Sequence, residues 1–340
     1  MSIAVLVTTH NASRYISEAL DSISRQQRKP DEVFVIDDES TDDTNDIVAE
    51  WASRQTFEVQ MLANEFSHKD FPCPGPAGSR NTGLSRTEAD FIAVLDHDDL
   101  MLPEHLQLTE QALLRHPEME LCFGDATEFV DASPGREERS LFAGKPIENV
   151  KFTETRDGLR ILAEPMLESL SGGSYVPTAA NLWRRQTGTG IGGFDRRAGG
   201  ADDMLFFSKV SRKGSVGYYP FPIARKRVHS DNMSHERHAL QHGLDLYNVL
   251  EILLTERELL NLTAREEATL HRQMAEARRG VLYHASRKGL STYLEIGKML
   301  GEGGPWELRD SLRALAWTLR SYVSAEYRRP VPVRSVSEPC

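Results

Sequence analysis

The sequence is poor in cysteine, has no long apolar run and carries no excess of positive charge. Its 340 residues include three cysteines, Cys73, Cys122 and Cys340. They form no CxxC pair and leave one unmatched, so neither a structural zinc site nor a disulfide framework is indicated, and a reducing cytoplasm fits best. No stretch reaches the roughly 18 apolar residues of a spanning helix. The first apolar run, Ile3 to Val7, is too short for a signal-peptide core and has no basic residue before it, so secretion and membrane insertion are not expected. With 40 Lys and Arg against 51 Asp and Glu the net charge is −11, which disfavours a phosphate-tracking groove and nucleic acid as the main partner. Glycine is missing from Thr8 to Arg14, just after that first run. A nicotinamide-dependent dehydrogenase needs G-x-G-x-x-G at that place, and a sugar-phosphate nucleotidyltransferase usually carries a glycine-rich basic loop there to hold a triphosphate.

What is present is the composition of a folded, soluble protein, 39% hydrophobic and 27% charged. Ile3–Val7, Glu32–Ile36, Phe57–Leu62, Phe91–Leu95 and Leu121–Asp125 read as strands. Helical spacing follows at 13–24, from Ser40 or Thr41 to Trp51, at 79–88 and at 103–115. Alternating strands and helices predict an α/β fold with a mainly parallel sheet covered on both faces. Ligands of such sheets bind beyond the carboxyl ends of the strands. From 126 to about 230 the pattern loosens into loops around helices expected near 157–170 and 202–213. Beyond about 235 only helices are expected, over 236–261, 263–288, 291–300 and 306–323, with Thr263 and Glu266 forming a capping box. The expected organisation is a domain over 1–234, divided at 125/126, then an all-helical C-terminal appendage over 235–325 and a tail over 326–340.

The fourth strand ends in Asp96-His97-Asp98-Asp99. Three carboxylates in that space call for a cation, and hard divalent ions such as Mg²⁺ or Mn²⁺ take carboxylate oxygens while keeping places for phosphates and water; alone, the run is also an ordinary solvated turn. The first strand ends Thr8-Thr9-His10-Asn11, the second ends Asp37-Asp38-Glu39-Ser40-Thr41-Asp42, and Gly78-Ser79-Arg80-Asn81 precedes the fourth. Taken in this order, each at a strand end, the segments resemble the family 2 glycosyltransferases of the GT-A fold over residues 1 to about 235. The resemblance implies an inverting enzyme that uses a nucleotide-diphosphate sugar and a divalent metal. It implies that Thr8, His10, Asn11 and Asp38 line the base and ribose pocket, with Asp38 suited to the imide N–H of uracil and UDP therefore favoured. His10 stands where the family often has an aromatic ring. Arg80 would sit near the base or diphosphate, unless it merely extends over a helix surface. Asp96, His97 and Asp98 would hold the donor and its metal, with Asp98 the more direct ligand.

Farther on, Gly192-Gly193-Phe194-Asp195 and Asp202-Asp203 are similar to the family's glycine loop and acidic pair. In the resemblance Asp203 is the general base; the alternative is that Asp202 or Asp203 only caps a helix. Arg227-Val228-His229 is similar to the late histidine segment, which implies that His229 lies close to the diphosphate and metal, and Arg225-Lys226-Arg227 beside it supports a phosphate-facing reading. Cys73 has no evident activating partner beyond His68, and the loop 64–78 is expected to be a flap over the donor. A non-catalytic binding module of the same fold is the remaining rival; it would be expected to lose carboxylates, yet Asp38, Asp96, Asp98 and Asp203 are all present. The acceptor is expected to be a glycan, a lipid-linked carrier or a small molecule. Leu308, Leu312, Leu315 and Leu319 form one stripe flanked by arginines, which leaves three uses open: packing, homodimerisation, or peripheral contact with the inner face of a membrane.

Overall fold

The computed structural model describes residues 1–66, 76–130, 138–165, 176–230, 232–233 and 235–301. By internal contacts the chain divides into Met1–His229 and Ser230–Cys340.

The first unit alternates strand and helix: β1 (Ile3–Thr9), α1 (Ile16–Ser24), β2 (Glu32–Asp37), α2 (Thr44–Ala52), β3 (Glu58–Ala63), α3 (Ala77–Arg86), β4 (Phe91–Asp96), the short β5 (Leu100–Met101) and α4 (His105–Arg115). It continues with β6 (Met119–Phe129), β7 (Arg139–Ser140), β8 (Phe152–Glu154), β9 (Arg160–Leu162), β10 (Asn181–Arg184), α5 (Arg185–Gly190), α6 (Asp202–Val210) and β11 (Ser215–Arg227). The strands form one sheet in the order β3-β2-β1-β4-β10-β6-β11-β9-β8, with β5 beside β11 and β7 beside β6. The pairs β1–β2, β1–β4, β2–β3 and β6–β11 are parallel, while β10 runs antiparallel to both β4 and β6. All of β1 and the centre of β2 are buried, as continuous apolar strands must be when helices cover both faces. α1 turns Ile16, Ala19, Leu20 and Ile23 to that core, a spacing of three and four residues that makes one helical stripe.

Two local expectations change. No helix lies in the described part of 157–170; β9 occupies Arg160–Leu162 and pairs with β8 and β11, because tertiary pairing overrides the local pattern. α2 begins at Thr44, and Asp42 accepts from the Thr44 and Ser13 N–H groups at 3.1 and 3.0 Å. Burial opposes its charge, but the Thr44 and Ser13 hydroxyls together with these N–H groups hold the Asp42 carboxyl far below the ordinary range.

The second unit contains α7 (Ala239–Thr255), α8 (Ala264–Lys288) and α9 (Leu290–Gly301). Thr263 and Glu266 close the expected capping box, and Tyr247, Val281, Leu282, Ala285, Tyr293, Ile296 and Leu300 form its core. Among the described residues no helix is long and apolar enough to cross a membrane. The leucine stripe of 306–323, Cys73 and most of the 64–78 loop lie outside the described residues.

Candidate active site

The carboxyl ends of β1, β2 and β4 meet at one edge of the sheet. Thr8 is in register with Asp96, and its hydroxyl donates to Asp96 Oδ1 at 3.1 Å. Beyond β1 the chain turns at Asn11, whose φ of 46 lies in the left-handed region that asparagine tolerates better than most residues. The Asn11 N–H donates to Ser40 Oγ, and its Oδ1 accepts from the Thr41 N–H, both at 2.8 Å. This ties the end of the first strand to that of the second. His10 Nδ1 faces the Asp38 carbonyl, and a carbonyl only accepts, so Nδ1 carries the proton. Nε2 then accepts from the Asn11 amide at 3.0 Å. The ring is thus fixed in one tautomer beside Asp38, whose Oδ1 accepts from Asn64 Nδ2 at 2.8 Å.

Arg80 does not extend over a helix surface. It is 2% exposed, with Nη1 donating to both oxygens of Asp202 at 2.9 and 2.8 Å and Nη2 to Asp96 Oδ1 at 2.9 Å. Its fork is turned to the carboxylates of Asp202 and Asp96. Burial opposes the guanidinium charge, but Asp202, Asp96 and Asp203 outweigh it and hold the pKa above its ordinary value. Burial likewise pushes the Asp202 carboxyl up, against the pull of Arg80 and with Asp203 adding to the rise. Asp96 moves down: Arg80 overcomes the effect of burial there.

The D-x-D run divides its work. His97 Nδ1 donates to the Thr8 carbonyl at 3.3 Å, holding the turn against β1. Asp98 Oδ2 lies 2.9 Å from His229 Nε2, and the His229 ring packs on Tyr15 at 4.7 Å. Asp99 is buried, accepts from the Arg227 N–H at 3.0 Å, and has its carboxyl raised by burial and by Asp98. Arg227 does not face solvent phosphate: it is 1% exposed, donates to the Asp98 carbonyl at 3.0 Å and pairs with Glu18 at 3.1 Å. Arg225 pairs with Glu138. Among the described residues no three His, Cys, Asp or Glu side chains gather as a metal-binding group, because Asp96 is drawn to Arg80 while Asp98 meets His229. The Asp98 carboxylate still suits Mn²⁺ or Mg²⁺ when phosphates and water supply the remaining places.

Asp203 sits in the first turn of α6, whose N-cap is Ala201 and makes no side-chain cap, so neither acid is the N-cap residue. Asp202 is fully buried against Arg80, whereas Asp203 is half-buried and lies within 3.4 Å of Thr178 Oγ1. Asp202 is thus held by Arg80, and Asp203, whose Oδ1 also accepts from the Met204 N–H at 2.6 Å, is the less buried of the two. Asn64, Asn81, Thr178 and Glu18 join this region without having been singled out from the sequence. Asn64 had a legible signal, since it directly follows the third strand at the edge where the first, second and fourth strands deliver their polar residues.

The mainly parallel sheet, with carboxylates gathered at the carboxyl ends of its strands, is of the GT-A type. Residues 4–159 match the sequence model of glycosyl transferase family 2. Over 109 residues the chain is 33% identical to poly(ribitol-phosphate) beta-N-acetylglucosaminyltransferase TarS of Staphylococcus aureus, an alignment covering 32% of this chain and 18% of TarS. Over 114 residues it is 30% identical to the Escherichia coli UDP-Glc:alpha-D-GlcNAc-diphosphoundecaprenol beta-1,3-glucosyltransferase WfgD, covering 34% of this chain and 42% of WfgD. These matches span less than half of either relative. The fold is shared with TarS 1-349 in complex with UDP-GlcNAc, at a TM-score of 0.52 and 17% identity over 90% of this chain and 93% of that one. It is also shared with the mannosyltransferase PcManGT from Pyrobaculum calidifontis in complex with GDP-Man and Mn²⁺, at 0.55 and 17% over 96% and 81%.

Proposed function

We propose that the chain transfers a sugar, with inversion, from a nucleotide-diphosphate sugar to an acceptor hydroxyl, and that Asp203 is the general base. The observation that carries this is the separation of the acidic pair: Asp202 is locked to Arg80 and through it to Asp96, which leaves the neighbouring Asp203 half-buried at the same edge. An aspartate is a weak base for a free hydroxyl, so the proton moves to the Asp203 carboxylate as the new glycosidic bond forms. Thr8, His10, Asn11 and Asp38 bind and orient the nucleotide, with UDP favoured because Asp38 suits an imide N–H; Asn64 holds Asp38 in place. Arg80 orients Asp96 toward the donor. Asp98 and His229 would hold the divalent metal, which when bound stabilises the negative charge that grows on the departing diphosphate. Relatives whose names specify a polyol-phosphate polymer and a lipid-linked sugar support a glycan or lipid-linked acceptor in bacterial glycoconjugate synthesis, at the cytoplasmic side.

The test is release of nucleoside diphosphate from a panel of nucleotide sugars with Mn²⁺. Asp203→Asn lowers kcat by about 10²–10⁴-fold with donor affinity little changed. Near-normal turnover in that variant would remove Asp203 from the role. Nucleotide binding without turnover of any sugar by the unaltered protein would instead support a binding module.

A further inference from the structure

Arg80 is one of two adjacent α3 residues that reach the segment leading into α6. The other is Asn81. Its Oδ1 accepts from the Phe194 N–H at 2.8 Å, and its Nδ2 donates to the Phe194 carbonyl at 2.7 Å. One carboxamide therefore satisfies both backbone groups of a residue 113 positions away, as a neighbouring strand would do. The approach depends on Gly193, whose φ is +73 and where a Cβ would lie 2.5 Å from Asn81 Oδ1. Phe194 carries the constraint onward. Its ring stacks on Phe206 of α6 at 3.9 Å with an interplanar angle of 13°, and the Arg80 guanidinium lies 5.4 Å from its centre.

Successive residues on a helix point about 100° apart. A rotation of α6 by that amount would carry Asp203 to the direction Asp202 now takes, and Asp202 away from Arg80. The Arg80–Asp202 pair fixes one point on the helix, and the buried side chains from Met204 to Val210 pack it against its surroundings. The Asn81–Phe194–Phe206 chain supplies a second point on the same helix.

We infer that Asn81 is a positioning residue for Asp203, setting the rotation of α6 so that Asp203 faces the acceptor hydroxyl while Asp202 stays on Arg80. This rests on the reading of Asp203 as the base. Misplacing a catalytic group by about 1 Å can reduce rate about a hundredfold.

The experiment compares Asn81→Ala, alone and combined with Asp203→Asn, by steady-state release of UDP from the UDP-sugar the protein turns over and by calorimetric binding of UDP with Mn²⁺. Hydrogen exchange at the Phe194 amide reports the clasp directly. Asn81→Ala is expected to lower kcat about ten- to a hundredfold, to change UDP affinity less than about twofold, and to speed exchange at Phe194. On the Asp203→Asn background the same change lowers the residual rate less than about twofold, because its effect passes through the missing carboxylate. Asn81→Asp keeps the acceptor for the Phe194 N–H and loses the donor, so it gives a smaller kcat loss of the same kind, and it replaces Asn81→Ala should that variant not fold. A kcat within about twofold of the parent, or an equal fold-loss on both backgrounds, overturns the assignment as mere stabilisation. Full turnover in Asp203→Asn alone overturns the base, and the inference with it. An inactive Asp203→Asn whose loss simply multiplies with that of Asn81→Ala overturns the inference and leaves the base intact.

Discussion

Arg80 offers the sharpest test of how the site is held together. Arg80→Met keeps an apolar stem and deletes the guanidinium, leaving fully buried Asp202 without its cation. Breaking a buried ion pair on one side costs about 3–5 kcal/mol. In a unit of Met1–His229, each kcal/mol is worth about 2–4 °C, so the midpoint should fall by roughly 6–20 °C. The loss depends on pH in a defined sense. Without Arg80, the Asp202 carboxyl, already raised by burial, rises further above its unfolded value. The folded state then binds the extra proton, so the penalty is larger at pH 8 than at pH 6. Arg80→Met with Asp202→Leu replaces the pair by apolar groups and should recover most of the stability, because a buried pair and its apolar replacement are often close in energy. Guanidinium unfolding followed by the fluorescence of buried Trp51 and Trp183 reads all three proteins at both pH values. A single variant within about 1 kcal/mol of the parent, or a double variant no better than the single, would refute the assignment of Arg80 as the internal counter-charge.

Asp98→Asn, motivated by the 2.9 Å contact with His229, should weaken Mn²⁺-dependent UDP binding and leave the metal-free affinity unaltered; calorimetry in which neither EDTA nor the substitution changes UDP affinity sinks the metal assignment. His105 is fully buried with Nε2 on the Asn181 carbonyl at 3.1 Å, and burial pushes its pKa down to about 4 from 6.5. The unfolded chain binds the proton first, so stability should fall as pH drops from about 6.5 to about 4, by roughly 3 kcal/mol at 1.36 kcal/mol per unit. His105→Gln flattens that part of the urea-midpoint curve; two parallel curves would refute the claim.

The strand ends were legible because the sequence announces them. Ile3–Val7 and Phe91–Leu95 are continuous apolar runs, and the polar residues after them fall at the carboxyl edge by the rule for parallel sheets. The separation of Asp202 from Asp203 was not legible, since it depends on Arg80 arriving from a helix 122 residues earlier. Arg227 misled for the same reason: a basic tripeptide in an acidic chain suggests an exposed patch, yet Glu18 and Tyr15 bring this guanidinium inside. Asn81 stands in a segment that carries the resemblance, but its contact with Phe194 was not legible, because its partners there are backbone atoms 113 positions away. The β8–β9 pair was missed because three-residue strands lie below the length at which alternation can be recognised.

The reversed strand β10 gives its two ends different freedom to change. Its exit is riveted at the edge away from the site: Arg184 donates to the Met119 and Leu113 carbonyls, both at 2.8 Å, and Arg185 Nε to the Ala89 carbonyl at 2.9 Å. Its entrance, the run from Val176 through Thr178 to Asn181, opens on the edge where Asp203 lies. Insertions or changes of sequence at that entrance reach the edge where Asp203 lies, while Arg184 and Arg185 keep the register of β4, β10 and β6. Loop closure is only weakly sensitive to such insertions. Under the proposed function, the residues that would bind the donor stand almost entirely before residue 100 and would pass through those changes untouched. Under the proposed function, that division would suit the scaffold to diversification: new acceptors would be explored by drift or by grafting in one stretch, while a fixed donor chemistry is inherited with the other.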